Sequence, residues 1–246
     1  MALGINLGIL ASSTSGFVNT YSLDFDGVDD NVYLQNLTSR KVQTLTMSVW
    51  VKPTAFARDG IVLNGHTSYG NEGIRIDWVF NTFKTKINGL FYELGPGNGQ
   101  NNWTHIAIAY DGNTLKRMTN GVQFSDVVVG ATINYTNYNG LVLGRSTSGF
   151  HIGNIDEFAF WDSDQSANFS TIYNNGIPNN LSSLNPLSWY RMGDNGSYKS
   201  PQWLIPSNEN KDKVSNYSFE FDGVGDYVDL GSSSTVADGG QFSLSF

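Results

Sequence analysis

Cysteine is absent from the 246 residues, so a disulfide scaffold, a thiolate metal site and a cysteine nucleophile are excluded. Charge is scarce too. Asp, Glu, Lys and Arg make up 15% of the chain, well under the usual quarter. Cations are the rarer kind, 14 Lys and Arg against 22 Asp and Glu, for a formal net charge of −8. Such a chain lacks the basic face needed for a nucleic-acid backbone or an anionic membrane surface. No apolar run reaches the roughly 18 residues of a membrane span, so no membrane insertion is expected. The mildly apolar start, Met1 to Ala11, has no Lys or Arg before it and is interrupted by Asn6 and two glycines. It reads as a lead-in or a packing arm over 1–16 rather than a signal peptide. What is present is 27 glycines, 39% hydrophobic and 13% aromatic residues, and a polar remainder dominated by Asn, Ser and Thr. That balance supplies a core under a turn-rich neutral surface and suits an extracellular or virion-surface protein.

The apolar periodicity is that of strands. Leu45, Met47, Val49 and Val51 alternate with Thr46, Ser48, Trp50 and Lys52, and Ile74, Ile76 and Trp78 alternate with Arg75, Asp77 and Val79. His105 to Tyr110 alternates less cleanly, as a strand covered on both faces does. Asn88-Gly89, Asp111-Gly112 and Asn120-Gly121 are hairpin signals. One segment, Ser166 to Asn175, has helical spacing, with Phe169, Ile172 and Tyr173 on one side, Ser163 or Asp164 to cap it and Gly176 to end it. The expected class is all-β, a jelly-roll sandwich of two antiparallel sheets with one short helix.

The chain repeats itself. Tyr21-Ser-Leu-Asp-Phe-Asp-Gly-Val28 returns as Tyr217-Ser-Phe-Glu-Phe-Asp-Gly-Val224, an offset of 196 residues. Leu45 to Val49 returns as Phe242 to Phe246. The period is far above the roughly 20–50 residues of solenoids, so it marks tandem domains. The expected organisation is one domain over 17–193, a linker over 194–214 and the start of a second, truncated copy over 215–246.

Several motifs in order carry a resemblance: Phe25-Asp-Gly-Val-Asp-Asp30, Met47-Ser-Val-Trp-Val-Lys-Pro53, Asn102-Trp-Thr-His-Ile-Ala-Ile-Ala-Tyr-Asp-Gly112, Asn120-Gly121 and Gly153-Asn-Ile-Asp-Glu-Phe158. Together they resemble the laminin-G-like, concanavalin A-like jelly-roll domain of the laminin G 3 type. The resemblance implies two antiparallel sheets packed face to face, and binding or adhesion more often than catalysis. Tandem copies without cysteine are also similar to structural and adhesion proteins of tailed phages. Arg117 and Met118 depart from the family pattern and imply a wetter strand face there.

Calcium is the cofactor to consider, because hard cations take oxygen ligands and Asp26, Asp29 and Asp30 crowd one glycine-containing turn. The resemblance implies a structural Ca2+ site on Asp26 and Asp156, with Asp30 beside them, and its first half repeated at Asp222 and Asp226. The alternative is that Asp26 and Asp30 are turn residues bonded to their own backbone. The fold also hosts retaining glucanases that carry Glu-x-Asp-x-Glu along one strand, where period two places all three carboxyls on one face. The matching positions here are Asn154, Asp156 and Phe158, with Glu157 expected on the other face, so glycoside hydrolysis is a remote reading. No Gly-x-Ser-x-Gly elbow occurs. His105 reads as a structural histidine.

Sugar rings stack on aromatic faces beside amide and carboxylate groups. Tyr69, Tyr135, Tyr138 and Phe150, with Asn137, are the candidate ligand-binding residues, and Phe91 and Tyr92 are further loop aromatics. The partner expected is a glycan or surface polysaccharide held by a non-catalytic module. Assembly on other virion or surface proteins is the competing reading.

Overall fold

In strand β4 (Leu45–Pro53) every residue but Lys52 is buried, and in β9 (Thr104–Tyr110) every residue is, so both faces of this sheet centre are covered. The computed structural model describes residues 17, 19–34 and 41–192 in full, and 4–7, 204–205 and 218–219 as backbone. The chain divides into two units, 1–198 and 199–246.

In chain order, the first unit contains β1 (Gly4–Leu7), β2 (Tyr21–Asp26), β3 (Val32–Tyr33), β4, β5 (Arg58–Gly65), β6 (Ile74–Val79), β7 (Phe83–Ile87) and β8 (Leu90–Gly95). There follow β9, β10 (Thr114–Thr119), β11 (Val122–Gln123), β12 (Val127–Val128), β13 (Gly140–Leu143), β14 (Arg145–Ser146), β15 (Gly149–Phe150), β16 (Ile152–Trp161), α1 (Phe169–Tyr173) and β17 (Ser188–Tyr190). Among the described residues, nine strands form one sheet in the order β1-β2-β16-β4-β9-β10-β11, with β12 on β10 and β17 on β16. Six form the other, β3-β13-β5-β6-β7-β8, and every pairing is antiparallel. In the second unit, Leu204–Ile205 pairs with Ser218–Phe219. The rest of the repeated segment, Asp222 and Asp226 included, lies outside the described residues.

The expected alternation builds the core between the sheets. Leu45, Met47, Val49 and Val51 meet Ile74, Ile76, Trp78, Phe83 and Ile87 there. A second apolar layer covers the outside of the nine-stranded sheet, where Ala107, Ala109, Ala159 and Trp161 pack under Phe169 and Ile172. The jelly-roll expectation therefore holds. The Asn-Gly pairs turn as expected, with φ of 49° and 92° at Asn88-Gly89 and 47° and 79° at Asn120-Gly121.

Three local expectations need correction. The helix is shorter: a 3-10 turn at Ser166–Asn168 leads into α1, and Asn174, not Gly176, ends α1 in the left-handed region. Asp164 supports the start by accepting the Ser166 N–H at 2.9 Å. Arg117 and Met118 are not on a wet face. Met118 is in the second apolar layer, and Arg117 donates to the carbonyls of Glu93 and Ser125 at 2.7 and 2.8 Å. The third correction is a β-bulge in β16 between Asp156 and Ala159, with Glu157 at φ 47°. It shifts the alternation by one, so Ile155 and Phe158 both enter the core. Among the described residues no helix is long and apolar enough to cross a membrane.

Candidate functional site

The bulge sets what the two carboxylates of β16 face. Glu157, 3% exposed, accepts the Trp189 indole N–H at 2.6 Å and the Arg191 Nε–H at 3.1 Å. Asp156 is wholly buried, accepting from the Asn19 amide at 3.0 Å and from the Glu157 N–H at 2.7 Å. Both carboxylates thus serve buried donors, where a glycosidase would present its pair to the substrate. Ser48 and His105 also lie together, at 2.8 Å, but both are buried and His105 Nδ1 has no hydrogen-bond partner among the described residues. That leaves the pair with neither substrate access nor the third group that orients a catalytic base.

The expected metal set is only half assembled. Asp26, Asp29 and Asp30 each bring one carboxylate oxygen within 4.8 Å of the others. Asp156 does not join them. Asp26 faces Ile152 across the ladder, four residues from Asp156 along β16, or about 13 Å at strand spacing. The Asx-turn reading is visible as well: Asp26 Oδ1 accepts the Val28 N–H at 2.8 Å, and Asp30 Oδ2 accepts the Asp26 N–H at 3.3 Å. Asp30 Oδ1, however, is buried without a partner among the described residues. A buried carboxylate oxygen with no donor is open to a cation, and a hard cation suits this all-oxygen set.

The predicted saccharide contacts are scattered. Tyr135 was expected to present its ring in a loop. Instead it is 7% exposed, belongs to the core, and uses its hydroxyl on Asn64 Nδ2 and the Val42 carbonyl. Burial, with Tyr138 next to it, pushes that hydroxyl's pKa up. Tyr138 packs edge-on against Tyr135 at 5.3 Å. Asn137 spends its amide and its backbone N–H on the Glu72 carboxylate, at 2.7 and 2.8 Å. Tyr69 is half exposed, edge-on to His66, and Phe150 lies under the Arg145 guanidinium at 4.7 Å.

The outer face of the six-stranded sheet is built differently. Along β6, Ile74, Ile76 and Trp78 point into the core, so Arg75 and Asp77 point out; along β7 the outward pair is Lys84 and Lys86. Phe91 and Glu93 of β8 lie opposite Lys86 and Lys84. Phe91, expected in a loop, is therefore a strand residue, 40% exposed. The β14–β15 hairpin lies over β5 and is clamped there. Ser146 and Ser148 donate to Asp77 at 2.7 and 2.9 Å, Arg75 Nε donates to Asp77 at 2.8 Å, and Arg75 Nη1 donates to Thr147 Oγ1. Burial pushes the Asp77 carboxyl above its ordinary range, while Arg75 and the two hydroxyls pull it back. Gly60 permits the close approach, because a Cβ there would come 2.1 Å from the Ser146 nitrogen.

Residues 26–168 match the laminin G 3 family, described as the concanavalin A-like lectin/glucanases superfamily. No curated protein matches the sequence. Among solved structures, the chain is similar to a Bacteroides ovatus protein ascribed carbohydrate binding, with 16% identity, 80% of this chain and 60% of that one covered, and a TM-score of 0.54. It is also similar to the receptor-binding domain of a botulinum neurotoxin of mosaic serotype C/D, with 13% identity, 71% and 45% covered, and a TM-score of 0.50. A third is domain 4 of an extracellular arabinanase from Geobacillus stearothermophilus, with 18% identity, 65% and 76% covered, and a TM-score of 0.47.

Proposed function

Because the chain belongs to the concanavalin A-like lectin/glucanase superfamily, we propose that it is a non-catalytic carbohydrate-binding module, used for attachment at a virion or cell surface. The observation that carries this reading is the outer face of the six-stranded sheet, where the open Phe91 ring lies among side-chain donors. An apolar ring face with hydrogen-bond donors around it suits a pyranose, whose C–H face is apolar and whose edge is polar. The Bacteroides ovatus protein of the same fold, ascribed carbohydrate binding, agrees with it. The lack of cysteine and the low charge suit a surface exposed to varied surroundings.

An oligosaccharide array probed with the whole chain tests the proposal. Reproducible binding that is lost in Phe91→Ala and weakened in Tyr69→Ala is the expected outcome, with no reducing sugar released from a β-glucan panel. If no saccharide binds and light scattering shows a multimer, the module is one for assembly.

A structural calcium ion at the Asp26, Asp29 and Asp30 turn belongs to the same proposal, supported by the unpartnered Asp30 oxygen. With calcium at a hundred times its dissociation constant, stability should rise by about 2.7 kcal/mol. Thermal melting with and without chelator checks this, and Asp30→Asn should abolish the response. A melting temperature indifferent to calcium in the unmodified chain would rule the ion out.

A further inference from the structure

Four cationic groups converge on one ring. The Lys86 ammonium is 4.8 Å from the Phe91 ring centroid, Lys84 is 5.9 Å away, and the Arg58 and Arg75 guanidinia are each 6.0 Å away. In a chain of net charge −8 with 14 basic residues, this is a strong local concentration. Two of the four are neutralised. Arg75 is paired with Asp77 at 2.8 Å and Lys84 with Glu93 at 2.9 Å. Lys86 and Arg58 have no carboxylate within ion-pair distance among the described residues. Partial burial, with Arg75 and Arg58 close by, holds the Lys86 ammonium below the usual lysine range, and Asp77 only partly opposes this.

Like charges held together without counter-charge are unfavourable, and a bound anion relieves them. Gly70 approaches Lys86 with no side chain, at 3.8 Å from its would-be Cβ to Nζ, and the clamped Arg75 fixes one wall. The contrast with the other sheet is instructive. A cavity of about 330 Å3 lined by Lys116, Arg117 and Phe124 is also basic and aromatic. There Lys116 is already bonded to Asp164 at 2.6 Å, and Arg117 to two carbonyls.

We infer that the face around Phe91 recognises an acidic saccharide, with Lys86 and Arg58 holding its carboxylate or sulfate while the ring stacks on Phe91. This rests on the carbohydrate-binding reading and narrows it. Long-range repulsion from the acidic chain leaves short-range pairing at this face as the source of selectivity, so an anion with no ring to stack on Phe91 is not a ligand.

Calorimetry with tetragalacturonate and its methyl ester separates charge from ring, and chondroitin sulfate against unsulfated chondroitin separates sulfate from carboxylate. At least one acid is expected to bind about tenfold tighter than its uncharged or less charged counterpart. Lys86→Gln and Arg58→Gln should each remove most of that margin, and added salt should shrink it. Lys116→Gln, which removes a cation from the other sheet, should leave it intact. Equal affinity for acid and ester, or a Lys86→Gln variant with undiminished preference, overturns the inference while leaving saccharide binding in place. Failure of all four probes overturns it too, and the neutral members of the array then decide whether the broader reading survives.

Discussion

Asp77→Ala is expected to destabilise the protein by about 3–5 kcal/mol and to release the 145–150 hairpin from the sheet. Asp77 is fully buried and accepts three bonds, from Arg75, Ser146 and Ser148. Removing it leaves the Arg75 guanidinium, 2% exposed, without its counter-charge, and leaves two hydroxyls without their acceptor. The large effect comes from stranding a buried charge and not from the pair's net worth, so removing both partners should be gentler. An Arg75→Met, Asp77→Leu double variant is expected to recover a good part of the loss. Urea unfolding gives the magnitudes, and hydrogen exchange at residues 145–150 reports the hairpin. A loss below about 1 kcal/mol for Asp77→Ala would mean that the clamp is slack.

His105 should make stability fall as the solution is acidified, well before most carboxylates titrate. Its burial lowers the folded-state pKa from 6.5 to about 3. Above pH 6.5 the ring is neutral in both folded and unfolded chains, and its contribution is complete. Between pH 6.5 and 3 the unfolded chain takes up a proton that the folded chain refuses, so acid favours unfolding. From pH 7 to pH 5 the loss from this residue is about 2 kcal/mol. His105→Gln forfeits the 2.8 Å Ser48 contact and some packing, so it starts less stable at pH 7. Its stability should nevertheless fall less steeply, and the gap to the parent should close by pH 5. Denaturant unfolding of both proteins at pH 7, 6 and 5 measures this. Parallel pH profiles would show that His105 titrates normally.

The two-sheet core could be read from the sequence because period-two burial is written locally in residues such as Leu45, Met47, Val49 and Val51. The Asn-Gly turns were legible for the same reason: each needs only two adjacent residues with positive φ. The Phe80-Asn81 turn was not, since a bulky ring at φ 46° is disfavoured and only its surroundings sustain it. The candidate site was harder still. Arg58, Arg75, Lys86 and Phe91 belong to four different strands, and only the ladder registers bring them together. Tyr135 misled because its polar neighbours Asn134 and Thr136 are exposed while its own ring turns inward to the core. Asp156 and Asp26 were expected together, and the β2–β16 register sets them four residues apart.

Glu157 behaves as a single residue inserted into an otherwise regular strand. Ile155, Asp156 and Phe158 alternate inward, outward, inward as if it were missing, and its left-handed backbone absorbs the extra length without disturbing the pairing downstream with β4. The ladder itself would tolerate its loss, but Trp189 and Arg191 would not, since both donate to its carboxylate and a buried guanidinium would be stranded. Fixed-offset comparison across this point assigns carboxylates to the wrong layer. Homologous positions on β16 have to be counted separately, up to Asp156 from one end and back to Phe158 from the other.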